Sequence, residues 1–167
     1  MTIRAINWRA MLVAAMMVAA SASVFGGARA EEAFSPFGER VLSDPMTGLA
    51  LGGYDPVAYF ADRKPRVGKR EYEIIVNGAV WRFVNRGNME AFRAAPDVYT
   101  PRYGGYGALS VSMGYTVEAS PLIWTIHHDR LYFFGSPVNR TVWMKDPEQF
   151  VKASERKWPA IEKTLVR

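Results

Sequence analysis

Two adjacent histidines are the residues of this chain most suited to metal chemistry. His127 and His128 are its only histidines, and Asp129 follows them directly. Imidazole nitrogens bind Cu(II), Ni(II) and Zn(II), so the pair are candidate metal ligands. A structural zinc site normally has four ligands, and these three residues fall short unless distant residues join them. An exposed polar turn at a hairpin tip is the simpler interpretation.

A second candidate site is built from glycines and tyrosines. The segment over 103–107 reads Tyr-Gly-Gly-Tyr-Gly, and 51–60 reads Leu-Gly-Gly-Tyr-Asp-Pro-Val-Ala-Tyr-Phe. Consecutive glycines let a ligand approach the backbone closely, and tyrosines offer a stacking wall. We expect a ligand pocket between the two segments; the alternative is that the tyrosines fill the core and that Asp55 only caps a helix. The candidate ligand-binding residues are Tyr54, Asp55, Tyr59, Tyr103, Gly104, Gly105, Tyr106 and Gly107.

The composition excludes several kinds of catalysis. The chain has no cysteine, which rules out thiol catalysis, thiolate metal ligands and cysteine-held iron–sulfur clusters. No Ser-His-Asp arrangement is recognisable, so no catalytic residue is assigned. Three classes of function stay open. We favour a non-enzymatic binding or accessory protein. One alternative is a thiol-independent enzyme that uses tyrosine, aspartate and histidine at the glycine-rich loop. The other is a protein-interaction module with an exposed aromatic patch.

The first thirty residues predict a cleaved signal peptide. Arg4 and Arg9 precede an apolar run over 10–25, and Ala28 and Ala30 form a small-x-small cleavage pattern. The run is shorter than the ~17–25 residues of a spanning helix, so we expect an exported, periplasmic or secreted protein without stable membrane insertion. Loss of the leader lowers the net charge from +5 to +2, with 18 Lys and Arg against 16 Asp and Glu. Nucleic-acid binding is therefore not expected.

Two β-hairpins are predicted from alternating β-prone residues. Asn77-Gly78 joins two such runs over about 71–84, and this dipeptide is the strongest short hairpin signal. A second hairpin is predicted over about 122–134, with the histidines at its turn.

Short capped helices are predicted between and after the hairpins. They are expected over 56–62 and about 86–94, and from Ser136-Pro137 and Asp146-Pro147 onward. The run 108–113 is ambiguous between strand and helix. The expected fold class is α+β, a single compact domain of antiparallel hairpins packed with several short helices.

Several of these segments together resemble the YHS domain-containing proteins. The order and spacing of 51–60, 81–83, 92–99, 103–106 and 146–150 are similar to the exported single-domain bacterial branch that includes selenoproteins. The resemblance implies a domain over 48–160, between a lead-in (31–47) and a C-terminal tail (161–167), and an association with metal or redox biology.

This chain departs from that family at the cysteine positions. Where the branch has cysteine or selenocysteine after the second tyrosine, this chain has Gly107, and the cysteine positions of metal-associated YHS modules hold Ala58 and Val84. The resemblance therefore supplies no active site. The cofactor is undetermined. A transition metal such as copper is the candidate, and the chain offers it no thiolate ligands. The expected partner is a small ligand or metal ion, and the oligomeric state is not predicted.

Overall fold

A computed structural model describes residues 41–165. The signal peptide predicted over 1–30 and the first part of the lead-in lie outside the described residues. Helices and antiparallel strand pairs alternate within one compact region, which confirms the α+β fold class. Within 41–165 no helix is both long enough and apolar enough to cross a bilayer.

The first predicted hairpin is confirmed. Strand β1 (Lys69–Val76) pairs antiparallel with β2 (Ala79–Phe83). Asn77 and Gly78 form the turn with φ values of 52° and 77°, the left-handed backbone that a two-residue hairpin turn requires.

The second predicted hairpin is confirmed as well. Strand β3 (Ser120–His127) pairs antiparallel with β4 (Arg130–Phe134), and His127 lies opposite Arg130. Between 41 and 165 the two hairpins form two separate two-stranded sheets rather than one continuous sheet.

Six α-helices surround these hairpins in the described region. Three predicted N-caps are confirmed, because the side chains of Asn85, Ser136 and Asp146 each accept a hydrogen bond from the backbone N–H three residues later. The helices are α1 (Ala58–Ala61), α2 (Arg86–Ala94), α3 (Pro96–Tyr99), α4 (Ala108–Met113), α5 (Pro137–Trp143) and α6 (Pro147–Thr164).

Two helices differ from their predicted bounds. Helix α1 is shorter than the predicted 56–62, because Pro56 and Val57 form a turn before it. Helix α6 contains Pro159 and nevertheless continues to Thr164. Proline removes one backbone hydrogen bond, and here that loss does not end the helix. Residues 161–164, predicted as part of a tail, therefore belong to α6.

Strand β4 joins two clusters of buried side chains. Alternate residues of a strand point to opposite faces. Leu131 and Phe133 belong to the first cluster, with Tyr59 and Trp81 among its members. Tyr132 and Phe134 belong to the second cluster, which is completed by Ala108, Leu109, Val111, Tyr103, Trp143 and Trp158. Because both its faces are buried, β4 holds the hairpin tip in a fixed position relative to the second cluster.

Candidate metal centre

The two histidines lie at the tip of the second hairpin. His127 ends β3, and His128 and Asp129 form the turn with φ values of 46° and 54°. The imidazole rings of His127 and His128 have centroids 4.2 Å apart and meet edge to face at 74°. The tight turn therefore directs two neighbouring imidazoles to the same side of the hairpin.

A third ligand comes from a distant part of the chain. Glu148 is the second residue of α6, directly after Pro147. Its Oε1 atom lies 2.8 Å from Nε2 of His127 and 2.8 Å from Nε2 of His128. One potential ligand atom from each residue lies within 4.8 Å of the other two. We call His127, His128 and Glu148 the metal cluster. Asp129, adjacent in sequence, is not part of it.

The spacing of the metal cluster suits a first-row transition metal after a small rearrangement. Metal–nitrogen and metal–oxygen bonds of about 2.0–2.2 Å place tetrahedral ligand atoms about 3.4 Å apart. The two 2.8 Å contacts must therefore open by roughly half an ångström. The side chains of His128 and Glu148 are 74% and 68% exposed, so they can adjust, whereas His127 is only 24% exposed.

The charge distribution of the cluster also favours a cation. The hydrogen bond with His127, followed by that with His128, lowers the pKa of the Glu148 carboxyl. Its carboxylate form, the form that binds metals, is thereby stabilised. A carboxylate oxygen can only accept hydrogen bonds, so each Nε2 in this arrangement carries a proton that a metal ion would replace.

Trp143 fixes the orientation of the less exposed histidine. The indole of Trp143 is fully buried, and its ring centroid lies 5.6 Å from that of His127, at 90°. Such edge-to-face packing holds one ligand rigidly while the other two stay adjustable. Trp143 ends α5 and therefore links the metal cluster to the second core cluster.

Asp55, a candidate ligand-binding residue, lies in the protein interior. Its carboxylate is fully buried and accepts hydrogen bonds from the backbone N–H groups of Val57, Ala58 and Val84, and from the side-chain amide of Asn88. These contacts connect the start of α1 to the end of β2 and to α2. Capping and cross-linking account for all four hydrogen bonds, which fits the helix-cap alternative.

The hydroxyls of two candidate tyrosines are used within the fold. Tyr59 and Tyr103 are fully buried. Tyr59 donates to the Pro121 carbonyl at 2.8 Å, and Tyr103 donates to Glu155 Oε1 at 3.2 Å. Burial raises the pKa of both phenols far above the ordinary value, so both are neutral. The two side chains fill the two core clusters.

The remaining candidates line the glycine-rich loop or its neighbours. Tyr103, Gly104 and Gly105 have φ values of 57°, 60° and 88°. Gly107 has an ordinary φ of −62°, and a β-carbon there would meet no atom closer than 3.5 Å. The backbone therefore does not demand glycine at 107, the position where the resembled family has cysteine. Tyr54 and Tyr106 are half-buried and form isolated β-bridges to Val67 and Glu118.

The metal cluster includes none of the candidate residues of the glycine-rich loop or of the first glycine segment. The sequence analysis named His127 and His128 as candidate ligands but not Glu148, which lies twenty residues after His128. The one sequence feature that could have pointed to Glu148 is its position directly after an Asp-Pro helix start. Acidic residues are common at that position, so the feature does not by itself indicate a function. Only the tertiary fold shows that this helix start faces the hairpin tip.

Comparison with known proteins adds no further assignment. No protein-family model, curated protein or solved structure matches the chain. The resemblance to YHS domain-containing proteins stays a prediction, and a function must be argued from the geometry of the site.

Proposed function

We propose that this protein is an exported, non-enzymatic binding or accessory protein that holds a transition-metal ion at the metal cluster. The observation that carries the proposal is the convergence of His127, His128 and Glu148, whose ligand atoms lie within 4.8 Å of one another. The predicted signal peptide supports export, and the resemblance to YHS proteins supports an association with metals.

The ligand set favours copper among the available ions. Two imidazoles and a carboxylate, without thiolate, suit Cu(II), Ni(II) and Zn(II), and affinity generally rises to a maximum at Cu(II). Three protein ligands leave coordination positions open, unlike the closed four-ligand sites that support folding. Open positions and two exposed ligands fit a protein that takes up and releases an ion.

The described residues offer less support for a protein-interaction module. Such a module was expected to expose an aromatic patch. Between 41 and 165, Tyr115 is the one exposed aromatic side chain, at 52% exposure. The other aromatic side chains in that range are buried or half-buried.

A metal titration tests the proposal. The metal-free protein is titrated with Cu(II), Ni(II) and Zn(II) by calorimetry, and its thermal unfolding is measured in parallel. Binding to the native state alone should add about 2.7 kcal/mol of stability at a free-metal concentration 100 times the dissociation constant. Binding should also quench Trp143 fluorescence when the ion is Cu(II), because the indole contacts His127.

The variants separate the metal cluster from its surroundings. His128→Asn keeps a residue that tolerates the left-handed turn, and Glu148→Gln keeps the shape of the side chain. Each should weaken Cu(II) binding by about 10–100-fold, equivalent to about 1.4–2.7 kcal/mol. Asp129→Asn is the matched control and should bind as the wild type does. Equal affinity in all three variants and the wild type would refute the site.

A further inference from the structure

A row of aromatic side chains leads from the metal cluster through the second core cluster. We call it the aromatic row. The row starts 5.6 Å from the His127 ring, and its successive ring centroids are 5.0, 6.0, 5.6 and 6.3 Å apart. Its members, in order, are Trp143, Tyr132, Tyr103, Trp158 and Tyr106. Each ring is therefore in contact with the next, from the proposed metal to half-buried Tyr106.

The two tryptophans of the row share an unusual feature. Within 41–165 the buried side-chain polar atoms that have no hydrogen-bond partner are Nε1 of Trp143 and Nε1 of Trp158. Buried polar groups are normally paired, so an unpaired one calls for an explanation. An indole that has lost an electron becomes a much stronger acid. With no acceptor at Nε1 it keeps its proton, and an electron can pass through it without proton movement.

Tyr103 has the opposite arrangement. A phenol that loses an electron also loses its proton, and it therefore needs a base at hydrogen-bond distance. The Tyr103 hydroxyl donates to Glu155 Oε1 at 3.2 Å, and Arg102 holds the same oxygen at 2.5 Å. The Glu155 side chain is 45% exposed, so a proton that it accepts can pass to solvent.

We propose that the aromatic row carries single electrons from Tyr103 to a strongly oxidising metal centre at the metal cluster. The inference rests on the proposed function for its natural metal. A one-electron reductant of the ascorbate class first reduces bound Cu(II) to Cu(I), and hydrogen peroxide then takes two electrons from Cu(I). The O–O bond breaks, both oxygens leave as hydroxide, and the resulting Cu(III) is the oxidant. Trp143 gives one electron to the oxidised metal, whose oxidation state falls by one. The Trp143 radical cation then takes one electron from Tyr103 across the ring of Tyr132, and the phenolic proton moves to Glu155.

The products of this step are a reduced metal, neutral Trp143, a neutral tyrosyl radical at Tyr103 and a protonated Glu155. The row continues through Trp158 to Tyr106, whose ring is partly exposed. A diffusible one-electron reductant of the ascorbate class can return the electron there, and Glu155 returns the proton. The row would thereby draw oxidation away from the metal-binding histidines.

The row can be tested without relying on metal affinity. A ruthenium photosensitiser is attached to His128, the more exposed imidazole, and the singly labelled protein is verified by peptide mapping. A laser flash and an added electron acceptor produce Ru(III) at the imidazole. We expect Ru(III) to be re-reduced within the protein and a tyrosyl radical to appear in transient absorption.

Four variants assign the steps. Trp143→Phe should slow the re-reduction of Ru(III) about tenfold, which corresponds to about 1.4 kcal/mol of barrier. Tyr103→Phe should remove the tyrosyl signal. Glu155→Gln should slow tyrosyl formation and change its solvent deuterium isotope effect, a readout that a purely structural role would not alter. Trp124→Phe, at a partly buried residue that packs against the first core cluster, is the matched control and should change none of these.

Unchanged rates in Trp143→Phe, or a tyrosyl signal that survives in Tyr103→Phe, would overturn the proposal. Near-ultraviolet circular dichroism checks that each variant is folded, and Tyr103→Phe, which removes only a hydroxyl, decides the matter if Trp143→Phe is unstable. The metal titration and the ruthenium assay fail independently. Absent metal binding refutes the proposed function, whereas absent electron transfer through the row refutes this inference.

Discussion

Replacing Gly105 by alanine should destabilise the protein, whereas the same replacement at Gly107 should not. Gly105 has φ +88°, and a β-carbon there would lie 3.4 Å from Cδ2 of buried Leu51 and 3.6 Å from Cγ of Pro101. A left-handed backbone costs a residue with a β-carbon about 1–2 kcal/mol. With the contact to Leu51 added, we expect a loss of about 1–3 kcal/mol for Gly105→Ala.

Gly107 provides the matched control two residues away. Its φ of −62° is open to any residue, and its closest neighbours would be Ser110 Oγ and the Val117 carbonyl oxygen, both at 3.5 Å. Alanine there restricts the unfolded chain, which stabilises a compatible site by about 0.4–1 kcal/mol. The two variants should therefore differ by about 1.4–4 kcal/mol in the free energy of unfolding.

Urea and thermal unfolding, followed by far-ultraviolet circular dichroism, measure this difference. For a domain of this size 1 kcal/mol moves the Tm by about 3–5 °C, so the Tm values of the two variants should differ by about 4–20 °C. Equal m-values would show that the same surface is exposed on unfolding. If Gly105→Ala were as stable as Gly107→Ala within about 0.5 kcal/mol, the backbone argument would be refuted.

Two further predictions concern buried polar groups. Asp55→Asn should lower the free energy of unfolding by about 2–4 kcal/mol, because an amide cannot accept all four hydrogen bonds that the buried carboxylate accepts. Asp146→Asn, at an exposed N-cap, is the control. Its free energy of unfolding in urea should stay within about 0.5 kcal/mol of the wild-type value. Tyr59 and Tyr103 are held neutral because burial raises their pKa. Their contribution to the free energy of unfolding is therefore complete below about pH 10 and is lost as the pH rises further. The wild type should lose stability between pH 8 and pH 11, and Tyr103→Phe should lose about 1.4 kcal/mol less over the same range. If the stability of the two proteins depended on pH in the same way, the argument from the raised pKa would be contradicted.

Local signals in the sequence were sufficient for most secondary structure. Asn77-Gly78 predicted its hairpin because both residues tolerate the left-handed backbone, and Asn85, Ser136 and Asp146 predicted helix starts because their side chains accept the first free N–H groups. The run 108–113 stayed ambiguous for a physical reason. Helix α4 has buried residues from Ala108 to Ser112, so no amphipathic period marks it.

The candidate site depended on contacts that local signals do not encode. Glu148 reaches the histidines only because β4 and Trp143 fix the hairpin tip against the start of α6. The left-handed backbone at Tyr103 was also hidden, since aromatic residues rarely adopt it. Sequence reasoning thus named two of the three metal-cluster residues as candidate ligands, although it preferred an exposed polar turn, and left the choice between pocket and core for the tyrosines open. Asp55 shows the limit clearly, because its capping role was foreseen but its contacts to Val84 and Asn88 were not.

The turn that carries His128 and Asp129 has a consequence for protein engineering. Both residues hold a left-handed backbone in which asparagine and glycine are preferred, as Asn77 and Gly78 show in the other hairpin. A thermostabilisation programme that ranks positions by turn preference would select this dipeptide early, since such changes commonly add about 0.5–2 kcal/mol. Such a programme would replace His128, and so remove one candidate metal ligand, while the Tm of the protein increased. At this hairpin tip, selection for thermal stability and selection for metal binding would favour different residues.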